Sequence, residues 1–150
     1  EEQLNEIQHS ATRSIEDVRN ISHGLRPVHL EKFGLSEAIT NLCNELQDTS
    51  IIEWSYHIDN IDGIIPANKE INFYRVIQEG INNILKHSLA SEASVLIQRN
   101  TNNIYATLWD DGRGFSLRMD KKPEGLGFLG MRERVQTLGG TITSSTGIGT

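Results

Sequence analysis

The chain has 150 residues, of which 37% are hydrophobic and 23% are charged, and its formal net charge is −6. This length and composition fit one domain with a buried core, whereas the acidic balance argues against a general nucleic-acid binder, and no apolar run reaches the ~20 residues that a transmembrane helix needs. Cys43 is the only cysteine, which excludes a disulfide framework and a cysteine zinc cluster, so we expect a cytoplasmic domain, either free or as the cytoplasmic part of a membrane-anchored protein.

The first 26 residues carry an apolar side chain at every third or fourth position, which predicts one amphipathic helix with a heptad seam. The seam consists of Leu4, Ile7, Ala11, Ser14, Val18, Ile21 and Leu25, and Ser14 is its only polar member. One helix cannot bury such a seam by itself, so the pattern favours a helical bundle or a dimer; the alternative is a surface helix packed on its own domain. Pro27 ends the helix because its ring disfavours the α conformation at the preceding residue. Residues 28–34 are expected to be a short linker.

Helices and strands are mixed over the rest of the chain. In chain order the predicted ranges are about 35–48 (helix), 52–58 (strand), 69–88 (helix), 93–99 and 103–109 (strands), 130–138 (helix) and 141–146 (strand). Residues 110–127 form a long glycine-rich loop. Because some strands are sequential, we predict an α/β two-layer sandwich with helices on one face of a mixed sheet.

The predicted helix 69–88 carries a polar face opposite its apolar face. Glu79 and Asn83 lie one turn apart on this face, Lys86 lies one turn further, and His87 lies at its margin. A carboxylate, an amide oxygen and an ammonium in one row can orient a water, coordinate a hard cation and meet a phosphate. The alternative is an ordinary solvated helix face.

An aspartate followed by glycines comes directly after the predicted strand 103–109. Asp110 can accept a hydrogen bond from a buried amino group, and Gly112 and Gly114 let the backbone approach a flat ligand because they have no Cβ. A plain turn is one alternative. A calcium loop of the EF-hand type is another, but its alternating ligands and its terminal glutamate are missing.

Residues 125–130 spell Gly-x-Gly-x-x-Gly, which is formally a dinucleotide fingerprint. We reject that interpretation because no strand directly precedes the string and too little chain follows it for a βαβ unit. Gly125 and Gly127 still form a turn that leads into a helix N-terminus, where free N–H groups and the helix dipole favour phosphate. The basic residues around this loop are Arg113, Arg118, Lys121 and Lys122. The polar helix, the Asp110 loop and the glycine turn together predict a nucleotide site.

In their order along the chain, these motifs resemble the ATP-binding domain of the superfamily that contains DNA gyrase, Hsp90, histidine kinases and MutL. Residues 79–87 resemble its N box, residues 110–114 its G1 box, residues 125–127 its G2 box, and Gly149-Thr150 its terminal Gly-Thr. Within the superfamily the chain is similar to sensor histidine kinases of the nitrate/nitrite sensor type. This likeness is carried by Leu25-Arg26-Pro27, Gly34-Leu35, residues 74–79 and residues 131–135.

The resemblance implies catalytic and metal-binding roles on the polar helix. Asn83 would coordinate a Mg²⁺ ion that bridges the phosphates of ATP. Glu79 would polarise or deprotonate a group near the γ-phosphate. Lys86 and His87 would face the phosphates.

The resemblance also implies roles in the two loops. Asp110 would accept a hydrogen bond from the adenine amino group, and Thr150 would assist through water. Gly112 and Gly114 would shape the adenine pocket. Residues 115–127, which include Gly125 and Gly127, would form a mobile lid.

The fold implied by the resemblance is a Bergerat-type sandwich over residues 35–150, whose last strand is expected to be missing. One long helix precedes it, with residues 1–27 as the second helix of a dimerisation and histidine-phosphotransfer bundle and residues 28–34 as the linker. In these kinases an acidic residue follows the phosphoacceptor histidine. His9 precedes a serine and His23 precedes a glycine, so we expect the phosphoacceptor to lie outside this chain.

The predicted function is that of the catalytic domain of a two-component sensor histidine kinase, which binds Mg-ATP and transfers the γ-phosphoryl group to a histidine of the bundle. The expected partners are ATP, a second copy bound through the bundle helix of the intact protein, and a cognate response regulator; neither nucleic acid nor direct membrane contact is expected. Two alternatives remain open: an anti-sigma-factor-type serine kinase on the same fold, and a non-catalytic nucleotide-binding module.

Overall fold

A computed structural model of the chain describes residues 27–114 and 126–146. The helices are α1 (Val28–Phe33), α2 (Leu35–Thr49), α3 (Glu70–Asn83) and α4 (Leu126–Thr137), and α3 continues directly into a π-helical turn, Ile84–Ser88. The strands are β1 (Glu53–Ile58), β2 (Glu92–Arg99) and β3 (Ile104–Asp110). These bounds confirm the predicted helix near 35–48 and the predicted strands near 52–58, 93–99 and 103–109.

The three described strands form a mixed sheet in the order β1-β2-β3. β1 is parallel to β2, with Trp54 opposite Ala93, and β2 is antiparallel to β3, with Val95 opposite Leu108. Side chains alternate between the two faces of a strand, so Trp54, Ala93 and Val95 share one face, and all three are buried. The prediction of helices on one face of a mixed sheet is therefore confirmed.

The core lies between this sheet face and the helices. α2 contributes an apolar stripe at helical spacing, and α3 contributes Ile77 and Ile81, which are 0% and 1% exposed. The stripe on α2 consists of Leu35, Ala38, Ile39, Cys43 and Leu46. Cys43 is thus a small core residue, and its burial raises the pKa of the thiol to about 11.

α3 packs directly on β3 through a glycine. A Cβ on Gly80 would lie 2.7 Å from Leu108 Cδ2, which is closer than carbon atoms approach one another in folded proteins. Gly80 is followed one turn later by the end of α3. The close approach therefore brings the C-terminal end of this helix against the strand that ends at Asp110.

The segment expected to be a linker is helical in the structure. Pro27 O accepts backbone hydrogen bonds from Leu30 (3.0 Å) and Glu31 (3.3 Å), which opens α1. Leu30 is 2% exposed and belongs to the core. The sequence analysis treated Pro27 as the end of one helix, but the fixed φ of proline also suits the start of another, and burial of Leu30 stabilises the short helix.

Two further boundaries differ from the prediction. α4 begins at Leu126 rather than near residue 130, because glycines do not prevent a helix that packs against a neighbour. Residues 141–146 form no strand within the described part of the chain, although their sequence alternates. A strand needs a hydrogen-bonded neighbour as well as alternation, and among the described residues no backbone hydrogen bond joins this segment to the sheet.

Several predictions concern residues outside those that the structure describes: the bundle helix over residues 1–26, the terminal Gly-Thr, and all of the lid over residues 115–127 except its last two residues, which belong to α4. No helix among residues 27–114 and 126–146 has the length and apolar character that would let it cross a bilayer.

Candidate functional site

The candidate site lies at one end of the sheet. β2 begins at this end with Glu92 and β3 finishes at it with Asp110, while the turn that joins the two strands, residues 100–103, lies at the other end. The π-helical turn at the end of α3 leads directly into β2. The topology therefore brings the predicted N box and the predicted G1 box together, although they are about 25 residues apart in sequence.

The polar row on α3 is present up to Asn83. Glu79 and Asn83 are half-buried and one α-helical turn apart, while Lys86 and His87 are exposed in the π-helical turn. The sequence pattern predicted one α-helix over residues 69–88. A π-helical turn closes its hydrogen bonds over five residues, so each residue advances by a smaller angle than in an α-helix. This smaller advance moves His87 towards the line through Glu79 and Asn83 and turns Lys86 away from it.

The loop after β3 is held close to the end of that turn. The Gly112 N–H donates to Asp110 Oδ1 (2.9 Å), which orients a half-buried carboxylate. A Cβ on Gly112 would overlap Ser88 O and would lie 2.7 Å from Ser88 Cβ. Glycine at this position is therefore required by close approach of the two backbones.

Gly114 is required for a different reason. Its φ is +66°, in the left-handed region that favours glycine, and a Cβ there would overlap Thr146 Oγ1. The loop after β3 consequently touches the end of the second described range. The part of the chain that leads towards Gly149-Thr150 thus comes near the Asp110 loop, and Thr150 itself lies outside the described residues.

The end of the π-helical turn and the loop after β3 meet at a junction. Two residues of this junction were not selected as site residues from the sequence. Ser88 is 7% exposed; its Oγ donates to Ile84 O (2.7 Å) and accepts from the Ala90 N–H (3.0 Å), which closes the helix end. Arg113 donates its backbone N–H to Ser88 O (2.8 Å) and its Nε–H to His87 O (3.1 Å). Arg113 was noted only as a basic residue, because its partners are backbone carbonyls that no side-chain pattern reveals.

Asp111 contacts different groups from Asp110. Its Oδ1 accepts from the backbone N–H groups of Ser91 (2.8 Å) and Glu92 (2.9 Å). These bonds, with the one from Glu92 the larger effect, hold the pKa of the Asp111 carboxyl below its usual value. Asp111 thus holds the start of β2, whereas Asp110 makes neither of these two contacts and accepts from the Gly112 N–H.

The first turn of α4 lies against the polar row of α3. A Cβ on Gly127 would overlap Glu79 Oε1, so Gly127 and the Glu79 carboxylate are in contact. Arg134 Nη1 donates to Asn72 Oδ1 (3.4 Å), which links the two helices further along. Gly127 is therefore brought to the predicted site, and Gly125 lies outside the described residues.

Buried residues precede Glu79 on the same helix. Arg75 is 7% exposed and its Nη1 donates to Gln78 Oε1 (2.5 Å). Burial lowers the pKa of the Arg75 guanidinium and raises that of the neighbouring Tyr74. The sequence analysis used residues 74–79 only as a family signature, and the structure shows that its first two members pack inside the protein.

The donor atoms near Asn83 fit a magnesium ion that takes some of its ligands from the protein and the others from a nucleotide. Asn83 and Glu79 offer an amide oxygen and a carboxylate, the hard ligands that Mg²⁺ prefers. Within the two described ranges no cluster of three or more His, Cys, Asp or Glu side chains could hold a metal alone. Mg²⁺ commonly takes one or two protein ligands and completes its shell with phosphates and waters, so this donor set suits that use.

The sequence of this chain matches a known protein family. Residues 68–150 match the family described as "Histidine kinase-, DNA gyrase B-, and HSP90-like ATPase". The match begins just before α3 and includes every element of the candidate site. The chain belongs to this ATPase family.

The curated relatives of this ATPase domain include a histidine kinase. The "Oxygen sensor histidine kinase NreB" of Staphylococcus carnosus (strain TM300) is 37% identical over 131 residues, which is 87% of this chain and 38% of that protein. The chain therefore spans well under half the length of this relative. The identity confirms the resemblance to sensor histidine kinases that the sequence motifs indicated.

Two solved structures share the fold of this ATPase domain. The "Erythrobacter litoralis EL346 blue-light activated histidine kinase" has a TM-score of 0.65 and 20% identity, covering 76% of this chain and 38% of that chain. A histidine kinase domain from the same protein has a TM-score of 0.53 and 23% identity, covering 67% of this chain and 48% of that chain. At these identities the likeness concerns the fold, and it confirms the predicted Bergerat-type sandwich.

Proposed function

We propose that this ATPase-family chain is the catalytic domain of a two-component sensor histidine kinase, which binds Mg-ATP and transfers the γ-phosphoryl group to a histidine on a helical bundle. The observation that carries the proposal is the junction of two elements at one sheet end. There the Gly112 backbone lies against Ser88, so the Asp110 loop and the end of α3 form one site. The family match and the 37% identity to a sensor histidine kinase support this function over the others.

Asp110 is the residue that recognises the base in this proposal. Its carboxylate is half-buried and already oriented by the Gly112 N–H, which leaves acceptor capacity for the adenine amino group. Gly112 and Gly114 keep the loop free of Cβ atoms where a flat ring would lie. A buried acceptor at this position discriminates between bases because an unmatched group would remain unpaired.

The end of α3 handles the phosphates. Asn83 would hold Mg²⁺, which when bound neutralises charge on the transferring phosphoryl group. Glu79 offers a carboxylate near the γ-phosphate, where it can polarise or deprotonate a group. Lys86 and His87 are exposed in the π-helical turn. We propose that both reach phosphate oxygens, His87 from near the line through Glu79 and Asn83 and Lys86 through its long side chain.

The first turn of α4 completes the site. Its Gly127 touches Glu79, and the free N–H groups of a helix N-terminus favour anions. We propose that Gly125 and Gly127 flank the phosphates and that Thr150 assists Asp110 through water. Residues 115–127 act as the lid.

Phosphoryl transfer then depends mainly on positioning and electrostatics. A nitrogen of the acceptor imidazole attacks the γ-phosphorus, the N–P bond forms as the bond to the β–γ bridging oxygen breaks, and ADP leaves. In this proposal Asp110 holds the base and the end of α3 holds the phosphates, so the γ-phosphoryl group would lie on the α3 side of the site. In the intact protein we propose a homodimer through the bundle helix, a cytoplasmic location, and a cognate response regulator that receives the phosphoryl group.

Labelled ATP tests this function. The chain is incubated with [γ-³²P]ATP, Mg²⁺ and either a purified histidine-containing bundle or an anti-anti-sigma protein. We expect label on the bundle, stable in alkali and lost in acid, as for a phosphohistidine. Acid-stable label on the anti-anti-sigma protein would favour the serine kinase. ATP binding without label on either protein would favour the non-catalytic nucleotide-binding module.

A further inference from the structure

Arg113 lies between two glycines of the loop after β3 and contacts the end of the neighbouring helix. Its backbone N–H donates to Ser88 O (2.8 Å), and its Nε–H donates to His87 O (3.1 Å). The last carbonyls of a helix have no partner within that helix. Arg113 therefore caps the C-terminal end of the α3 helix from a different element, and a cationic side chain is favourable at that end of the helix dipole.

The junction around this cap is tightly packed. Gly112 has no room for a Cβ beside Ser88, and the Ser88 side chain is satisfied by Ile84 O and the Ala90 N–H. The loop therefore cannot shift along the helix end without breaking both Arg113 bonds. Asp110 and Asn83 belong to the two parts that these bonds join.

We propose that Arg113 is a positioning residue, which fixes the separation between the base-recognising loop at Asp110 and the metal- and phosphate-facing end of α3 at Asn83. This inference rests on the proposed function and adds to it a residue that touches neither the base nor the metal. A ligand that spans both parts gains from their fixed separation, since the second contact costs little further freedom once the first is made. A ligand that contacts only the base loop gains nothing from it.

The test compares ligands that reach different distances from the base. Arg113→Met keeps the backbone bond to Ser88 O but removes both the charge and the Nε donor, because methionine has a methyl carbon at that position. Dissociation constants are measured on the whole chain for Mg-ATP, ADP, AMP and adenosine, by competition with a fluorescent ATP analogue. We expect Mg-ATP to bind about tenfold more weakly, the change that corresponds to one lost hydrogen bond from a charged donor, and adenosine to change by less than about twofold.

Two further variants separate positioning from charge. Arg113→Lys keeps the charge but has a methylene where arginine has Nε, so we expect it to lose Mg-ATP affinity as Arg113→Met does; it also serves if the methionine variant does not fold. Arg99→Met is the matched control, because it removes the same charge at the opposite end of the sheet, beside the turn of residues 100–103. We expect its affinities to equal those of the wild type.

Three results would overturn the inference. The first is wild-type Mg-ATP affinity in Arg113→Met. The second is an equal loss for adenosine and Mg-ATP, which would confine the effect to the base loop. The third is a loss that grows with each phosphate and is restored by Arg113→Lys, which would make Arg113 a direct phosphate contact. A wild-type chain that binds no adenine nucleotide would instead refute the proposed function itself.

Discussion

Asp110 and Asp111 are adjacent in sequence, and their carboxylates contact different parts of the structure. Asp110 is half-buried and accepts from the Gly112 N–H, while Asp111 accepts from two backbone N–H groups at the start of β2. The sequence indicated that a carboxylate follows the strand, but it did not show that the two aspartates have different contacts. The contacts show that Asp111 holds the start of β2, and they leave Asp110 available for the base-recognition role that we propose.

At Asp110 we predict a loss of base discrimination. Asp110→Asn replaces one acceptor oxygen with an NH₂ donor, which faces the adenine amino group but suits the guanine carbonyl. ATP affinity should fall about tenfold to a hundredfold, because a desolvated donor is left unpaired, and the preference for ATP over GTP should narrow. Calorimetric titration with both nucleotides measures this. An unchanged ATP-to-GTP ratio in the variant would remove Asp110 from base recognition.

At Asn83 we predict a loss of metal-dependent binding. Asn83→Ala removes the amide oxygen but leaves the fold intact, since the side chain is half-buried on the polar face of α3. ATP affinity should become insensitive to Mg²⁺, while the circular dichroism spectrum and melting temperature stay close to those of the wild type. Asn102→Ala, in the exposed turn between β2 and β3, is the control. Retained Mg-ATP affinity in Asn83→Ala would argue against the N-box assignment.

Among the elements, β2 is held at both ends by aspartates from neighbouring segments. Asp111 accepts from the backbone N–H groups of Ser91 and Glu92, and Asp59 accepts from the Arg99 N–H (2.9 Å) and pairs with His57 Nε2 (3.0 Å). The bond from Arg99 is the main reason that the pKa of the Asp59 carboxyl lies below its usual value. The central strand is therefore fastened by two carboxylates that must be ionised.

These aspartates predict a loss of stability in acid. A pKa that is lower in the folded than in the unfolded state stabilises the fold above the usual carboxyl pKa of about 3.9, and this contribution is lost as the pH falls towards the folded value. In Asp59→Ala/Asp111→Ala the melting temperature at pH 7 should fall by a few degrees and should depend less on pH below about pH 5 than in the wild type. Asp48→Ala, an exposed change on α2, should leave that dependence unaltered. Parallel pH profiles for the double variant and the wild type would exclude this role.

Elements with strong periodicity were predictable from sequence, and elements set by tertiary contacts were not. The apolar stripe predicted the position of α2, and the alternation of side chains predicted the positions of β1 to β3, each within a few residues. These signals are strong because one face of each element is buried in a common core. α1 depends on burial of Leu30, and the π-helical turn depends on a junction with Arg113 and Gly112, so neither has a periodic signal of its own. The same holds within the site: Asp110, Asn83 and the glycines follow spacing rules, whereas Ser88 and Arg113 act through backbone carbonyls.

For the whole molecule, residues 1–26 predict self-association. The seam from Leu4 to Leu25 is too apolar to remain in water, and a helix of this length is marginal alone. We expect weak, concentration-dependent association in analytical ultracentrifugation, and its loss when Ile7 and Val18 are both changed to Asp. A strict monomer at high concentration, together with unfolding of residues 35–150 in that double variant, would mean that the segment belongs to the domain core.

We propose that Asp110 and Asn83 belong to one ATP site at the end of the sheet. Calorimetric titration of the wild-type chain with ATP, in Mg²⁺ and then in EDTA, and with GTP in Mg²⁺, tests it most directly. We predict one ATP site per chain, weaker ATP binding in EDTA than in Mg²⁺, and a GTP affinity at least about tenfold lower than that for ATP. No binding of Mg-ATP, or equal affinity for ATP and GTP, would contradict it.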